Sequence, residues 1–286
     1  MPHSPLIDAE QLMAILRAGS RPVCLLDCGF DLMDPGAGER AWAAGHLPGA
    51  RYAHLERDLS GPKSPRGSID GGRHPLPTRE ALAATLGRWG VQPDTLVVAY
   101  DAQGGCYAAR AWWLLRWMGH AEVAVLDGGV SRWQAAGGDW VTDAAPAPTG
   151  TAPYPLRPPA MPTVDAATLL AGDATLQVVD ARAGERYRGE VEPLDARAGH
   201  IPGAVNRFFK DNLGPDGRFL PAPALRARFA DLAVPPAQVV HQCGSGVTAC
   251  HNLLAMEAAG LPGSALYPGS WSEWSADPGR PVARST

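Results

Sequence analysis

GHLPGA at residues 45–50 returns as GHIPGA at residues 199–204, 154 positions later. Around this pair the chain repeats itself in order. Before each copy runs an apolar stretch ending in aspartate, VCLLD (23–27) and LQVVD (176–180). After each come a helical stretch and a second apolar run, TLVVAYD (95–101) and QVVHQC (238–243). A glycine turn and another helix follow in both halves. Each half closes on a third apolar stretch that leads into a tryptophan turn, VAVLDGGVSRW (123–133) and SALYPGSWSEW (264–274). Matched features in a single order are the signature of a duplicated unit.

Short, continuously apolar strands alternating with amphipathic helices suit a parallel sheet buried on both faces. The expected fold class is therefore α/β: two tandem domains, each a mainly parallel sheet flanked by helices. The 286 residues are enough for two such domains at roughly 150 residues each. The expected boundaries are 1–140 and 163–286. Between them, VTDAAPAPTGTAPYPLRPPAMP (141–162) is rich in Pro, Ala and Thr, a composition that favours an extended linker.

A net charge of −4 is too mild to imply a nucleic-acid or anionic-membrane partner. No apolar run approaches the ~18 residues that span a bilayer. The segment MPHSPLIDAEQLMAILRAG reads as a short helix capped by Asp8, with Gln11 three positions on, and not as a targeting peptide. The five cysteines are an odd set with no CxxC spacing. That argues against a disulfide framework and a zinc site, and for a reducing, cytoplasmic compartment.

The repeat sorts residues by role. His46 and His200 recur, as do Trp133 and Trp274, so all four are read as scaffold. At the head of the glycine turn the halves differ: the second has Cys243, the first Asp101. After Cys243 come Gly244, Ser245, Gly246, Val247 and Thr248. Glycines tolerate positive φ, so successive N–H groups can point into one concavity. The following helix adds its unpaired N–H groups and dipole. A thiolate at the centre would be stabilised and nucleophilic. Cys24, Cys28, Cys106 and Cys250 suit the plainer role of buried thiols. A cysteine phosphatase needs an arginine at the sixth position after its cysteine to clamp phosphate; here that position is Ala249.

CGSGVT at 243–248 and the two GHxPGA motifs resemble the two-domain sulfurtransferases of the rhodanese superfamily, over nearly the whole chain. The resemblance implies an active second domain and a first domain that is inactive at Asp101. It implies a ping-pong reaction in which Cys243 takes a sulfane sulfur, becomes a persulfide, and passes the sulfur to cyanide or to a thiol such as thioredoxin or glutathione. It implies no metal and no organic cofactor. Within the family, a loop of the form CGSGVT is similar to those of 3-mercaptopyruvate sulfurtransferases, whereas thiosulfate sulfurtransferases more often carry basic residues after the cysteine. Mercaptopyruvate is thus the expected donor, with thiosulfate sulfurtransferase activity or a non-catalytic persulfide carrier as alternatives.

The donor's carboxylate needs cationic partners. VDARAGERYRGE (179–190) places Arg182, Arg186 and Arg188 just past a strand end, where open α/β sheets bind ligands, and Arg186 matches the family's substrate-binding arginine. The second arginine that mercaptopyruvate enzymes carry after an EP dipeptide is absent: VEPLDARAGH has Leu194 there, with Arg197 three residues on as a substitute. The first half carries an insertion around LERDLSGPKSPRGSIDGGRHPLP (55–77). Asp58 and His74 in it resemble an Asp and a His that the family brings toward the active-site serine, here Ser245, as a proton relay. Lys63, Arg66 and Arg73 could attract an anionic donor. A monomer is expected.

Overall fold

The computed structural model describes residues 4–143 and 152–285, so residues 144–151 of the expected linker lie outside the described residues. The chain divides into two compact units. The first comprises Met1–Ser60, Pro77–Ala160 and Pro215–Phe219; the second comprises Gly61–Leu76, Met161–Gly214 and Leu220–Thr286.

The first unit contains strands β1 (Leu6–Ile7), β2 (Val23–Asp27), β3 (Arg51–Tyr52), β4 (Leu96–Tyr100) and β5 (Val123–Leu126). Its helices are α1 (Ala9–Ala18), α2 (Ala37–Ala44), α3 (Arg79–Arg88), α4 (Ala108–Trp117) and α5 (Gly129–Ala135). The sheet order is β1-β5-β4-β2-β3, with every pairing parallel. All five residues of β4 are buried, which explains its uninterrupted apolar sequence. Each fully buried Leu or Val contributes about 1.5–3 kcal/mol of transfer free energy. Asp8 caps α1 in a reciprocal capping box with Gln11, as its spacing implies.

The second unit repeats the plan with β6 (Gln177–Asp180), β7 (Val205–Asn206), β8 (Val239–Gln242) and β9 (Ala265–Leu266). Its helices are α6 (Ala166–Ala171), α7 (Gly184–Arg188), α8 (Ala222–Arg228), α9 (Ala249–Ala258) and α10 (Ser270–Ala276). The order is β7-β6-β8-β9, again all parallel. This superposes in sequence order on β3-β2-β4-β5. A single parallel bridge between Thr163 and Leu266 stands where β1 pairs β5 in the first unit.

The shared residues do shared work. His46 stacks on Trp42 and places Nδ1 2.8 Å from the Trp42 carbonyl; His200 stacks on Tyr187 and places Nδ1 2.8 Å from the Tyr187 carbonyl. Each also makes a backbone bridge, to Val141 and Ala283 respectively. Trp133 and Trp274 donate from Nε1 to the carbonyls of Asp139 and Pro281. No helix among the described residues is long and apolar enough to cross a membrane.

Two boundaries differ from the sequence expectation. Residues 61–76 belong to the second unit: the Gly71 N–H donates to Glu273 Oε1 at 3.0 Å and the Arg73 N–H to Ser272 Oγ at 2.9 Å. Residues 152–160 are packed on the first unit and are not a free linker. Tyr154 there is 1% exposed, donates its N–H to the Ala83 carbonyl and pairs its hydroxyl with His120. Tyr154 and the Arg157 carbonyl, which accepts from Arg79, anchor a Pro-rich stretch whose composition alone reads as loop.

Asp27, at the C-terminal end of β2, accepts the Gly29 N–H but is buried, and desolvation pushes its pKa up to about 6. The unfolded carboxyl titrates near 3.9, so between pH ~4 and ~6 the unfolded chain loses a proton that the fold retains. Rising pH through that window therefore favours unfolding. Asp27→Asn is expected to raise the melting temperature at pH 7, with the gain fading as pH falls toward 4; thermal melts across this range check it.

Candidate active site

Two loops occupy the same place in the two sheets, and their difference is chemical. In the first unit, the loop after β4 starts with Asp101 and ends at α4. Asp101 Oδ1 accepts the N–H groups of Gln103 and Gly105, both at 2.8 Å. Oδ2 accepts those of Tyr107 and Ala108 at 2.9 and 3.0 Å. Four backbone donors thus close on one buried carboxylate, which also serves α4 as the cap its own N-cap side chain does not supply.

In the second unit the loop after β8 starts with Cys243, which is 1% exposed. Its backbone is fixed. The Cys243 N–H donates to Ser270 Oγ at 3.1 Å, and the Cys243 carbonyl accepts the Trp271 N–H at 3.0 Å. Gly246 has φ +73°, and a Cβ there would stand 2.3 Å from the Pro268 carbonyl oxygen, so only glycine fits. Thr248 leads into α9 without a side-chain cap. Among the described residues, the N–H groups of Gly244, Ser245, Val247 and Thr248 meet no protein acceptor. Where Asp101 supplies an acceptor within the sister loop, the chain supplies none for these four.

Ser270 is a further difference. It is the one residue other than glycine with positive φ among the described residues, at 53°, and Gly129 holds the same φ at the matching position of the first unit. A Cβ on Gly129 would strike the Asp101 carbonyl oxygen at 2.1 Å. At Ser270 the strained backbone carries a hydroxyl that accepts from the Cys243 N–H and donates to the Tyr267 carbonyl. Strain of this kind costs about 1–3 kcal/mol and persists where the surroundings over-determine it. The repeat alignment places Ser270 opposite Gly129, and that mismatch is the signal a sequence reading could have used.

The structure brings His74 to Ser245: Nδ1 and Oγ lie 2.7 Å apart, both residues being buried. Asp58 lies in the first unit, where it accepts the His54 N–H at 3.0 Å and the Arg57 Nε–H at 3.1 Å. Arg186 flanks the Cys243 loop: its Nη atoms would be 3.5 and 3.7 Å from a Cβ on Gly244. It is held by Glu192 at 2.6 Å and Asp195 at 3.1 Å. Arg73 comes to the same point, with Nη2 3.2 Å from that Cβ.

The other arginines have different employment. Arg182 is buried, paired with Asp180 at 2.7 Å and Glu192 at 3.2 Å, bonded to the Gly199 carbonyl and set over the Trp271 ring. Arg197 is a correction to the sequence expectation. Its guanidinium is taken by four carbonyls, of Trp274, Ser275, Asp277 and Arg280, so it closes the C-terminal end of α10 instead of facing a substrate. Arg188 is likewise corrected: it forms a surface pair with Glu190, at 2.6 and 3.0 Å, and such pairs contribute at most about 1 kcal/mol. Burial pushes the Cys24 thiol up to about 11; burial, with the carboxylates of Asp101 and Asp27 nearby, pushes the Cys28 thiol well above its usual value.

The chain belongs to the rhodanese-like domain family, whose model matches residues 8–136 and again 163–277. It is 49% identical to a Pseudomonas aeruginosa protein provisionally named a 3-mercaptopyruvate sulfurtransferase, over 99% of both chains. It is 43% identical to a Mycobacterium tuberculosis protein provisionally named a thiosulfate sulfurtransferase, over 98% of this chain and 97% of that one. Among solved structures it resembles the 3-mercaptopyruvate sulfotransferase SseA of Escherichia coli, with TM-score 0.75 and 30% identity, covering 95% of this chain and all of the other.

The cradle in the first unit makes a direct test of the loop physics. Asp101→Ala strands four inward-facing donors, and the expected loss of unfolding free energy is at least about 2 kcal/mol, measured by denaturant titration.

Proposed function

We propose that this chain is a sulfurtransferase that takes a sulfane sulfur from 3-mercaptopyruvate onto Cys243 and hands it to a thiol or to cyanide. The observation that carries this reading is the pair of loops. The first is filled by a carboxylate with four N–H groups on it; the second offers unclaimed N–H groups around a cysteine. An anionic sulfur, as thiolate or persulfide, completes the second loop as Asp101 completes the first.

The chemistry balances without a redox partner. The Cys243 thiolate attacks the donor sulfur, an S–S bond forms and the donor's C–S bond breaks. The electron pair passes to the donor carbon as the enolate of pyruvate, which takes up one proton to become pyruvate. An acceptor thiolate then attacks the outer sulfur, leaves as the persulfide and returns Cys243 as thiolate; cyanide leaves as thiocyanate. Thioredoxin and glutathione are the thiol acceptors this reading favours. Five cysteines carried as free, buried thiols suit a reducing, cytoplasmic setting.

The His74–Ser245 pair supports mercaptopyruvate over thiosulfate. Breaking C–S leaves a basic carbon and oxygen that need a proton, and a hydroxyl bonded to an imidazole can deliver one. Thiosulfate releases sulfite, which leaves as an anion and needs none. Thiosulfate remains the second reading, favoured by the name of the M. tuberculosis relative and by the two guanidiniums beside Gly244, which suit a compact dianion.

Intact mass after brief exposure to each donor decides. The expected result is gain of one sulfur, faster with 3-mercaptopyruvate and absent in Cys243→Ala. Faster loading by thiosulfate would reverse the donor assignment. His74→Ala is expected to slow loading from mercaptopyruvate by about 10²–10⁴-fold, the usual worth of a general acid, and to slow loading from thiosulfate far less; equal slowing with both donors would remove His74 from proton delivery.

A further inference from the structure

We propose that Arg73 is a substrate-binding residue that acts as a pair with Arg186, the two guanidiniums holding the carboxylate of the α-keto acid donor beside Cys243. The proposal rests on the mercaptopyruvate reading above and assigns the residue that completes it.

Both guanidiniums converge on one missing side chain. A Cβ on Gly244 would lie 3.2 Å from Arg73 Nη2 and 3.5 and 3.7 Å from the Nη atoms of Arg186. Gly244 is the residue next to the nucleophile, so the space it leaves open is bounded by the reacting sulfur's loop and by two planar forks of N–H donors. A planar carboxylate matches such forks.

Two cations so close repel each other unless something stands between them. Asp195 does: Oδ1 takes Arg73 Nη1 at 2.5 Å and Oδ2 takes Arg186 Nη2 at 3.1 Å. Glu192 takes the other side of Arg186 and is shared with Arg182, which is also paired with Asp180. Three arginines and three carboxylates thus balance. The acids occupy part of each fork, and donors remain over. Arg73 Nε is shut off from solvent with no acceptor. Among the described residues, none accepts from Arg73 Nη2 or Arg186 Nη1 either. An enclosed guanidinium N–H with no acceptor is costly, and a bound carboxylate would relieve it.

Arg73 is also held in place. Its own N–H is bonded to Ser272 Oγ at 2.9 Å and its neighbour His74 to Ser245 at 2.7 Å. Gly72 before it has φ +77°, and a Cβ there would stand 2.3 Å from the Gly269 carbonyl oxygen. The backbone is pinned on both sides, so the guanidinium is presented at small entropic cost. Arg197, the arginine that follows Glu192 and Pro193, is taken up by carbonyls. Asp195 recruits Arg73 from residues 61–76 instead.

The test is the dependence of Cys243 sulfur loading on 3-mercaptopyruvate concentration, followed by intact mass, in wild type, Arg73→Met and Arg73→Lys. Losing a charge-assisted pair of bonds should raise the half-saturating concentration about 10–100-fold in Arg73→Met, with a much smaller change in maximal rate. Arg73→Lys keeps the charge without the fork and should fall between the two; it carries the test if Arg73→Met does not fold. Half-saturation within about twofold of wild type, or a loss confined to maximal rate, would overturn the arginine pair alone. A wild-type protein that mercaptopyruvate does not load would overturn the donor reading beneath it.

Discussion

A helix that starts inside a protein leaves backbone N–H groups facing a place where water does not reach, and each needs an acceptor. Both units of this chain set a helix, α4 or α9, directly behind an inner strand of a parallel sheet, and in both the requirement falls on the turn between them. In the first unit the acceptor is built in: Asp101 occupies four donors and the loop is chemically finished. In the second, a cysteine stands at the same point and the donors are left open. The duplication thus contains its own control, one copy with the anion supplied by the chain and one copy made to receive it.

What surrounds the open copy is arranged for its occupant. Ser270 accepts a strained backbone in order to hold the Cys243 N–H, where the sister unit has the unstrained Gly129. Gly246 lets the loop pass against the Pro268 carbonyl, and Gly244 leaves room for two guanidiniums. The charges of Arg73, Arg182 and Arg186 are met by Asp180, Glu192 and Asp195.

Much of this could be read from the chain itself because it depends on local pattern. Uninterrupted apolar runs separated by helical stretches dictate parallel strands, since each strand is buried on both faces. The repeat of GHxPGA and its neighbours says that both halves share one plan, while the strand order itself appears only in the structure. Glycines on either side of Ser245, ahead of a helix, mark a turn with inward N–H groups, and the exchange of Cys243 for Asp101 tells the two halves apart chemically. His46, His200, Trp133 and Trp274 recur because each bonds to a backbone carbonyl within its own unit.

The arginines show where local pattern stops. Arg182, Arg186, Arg188 and Arg197 look alike in sequence, each a cation near the end of β6. Only packing separates them: one is buried under Trp271, one faces Gly244, one pairs on the surface and one closes α10. Arg73, far away in the chain, reaches the loop beside Arg186, while the other three arginines are engaged elsewhere. A long, flexible, charged side chain finds its partners through tertiary contact, and those contacts bring together residues more than a hundred positions apart. The sequence alone determined the strands, the duplication and the nucleophile, because each is set by neighbours along the chain. The tertiary structure alone decided which cations come to the Cys243 loop, because charge pairing and burial depend on distance through space.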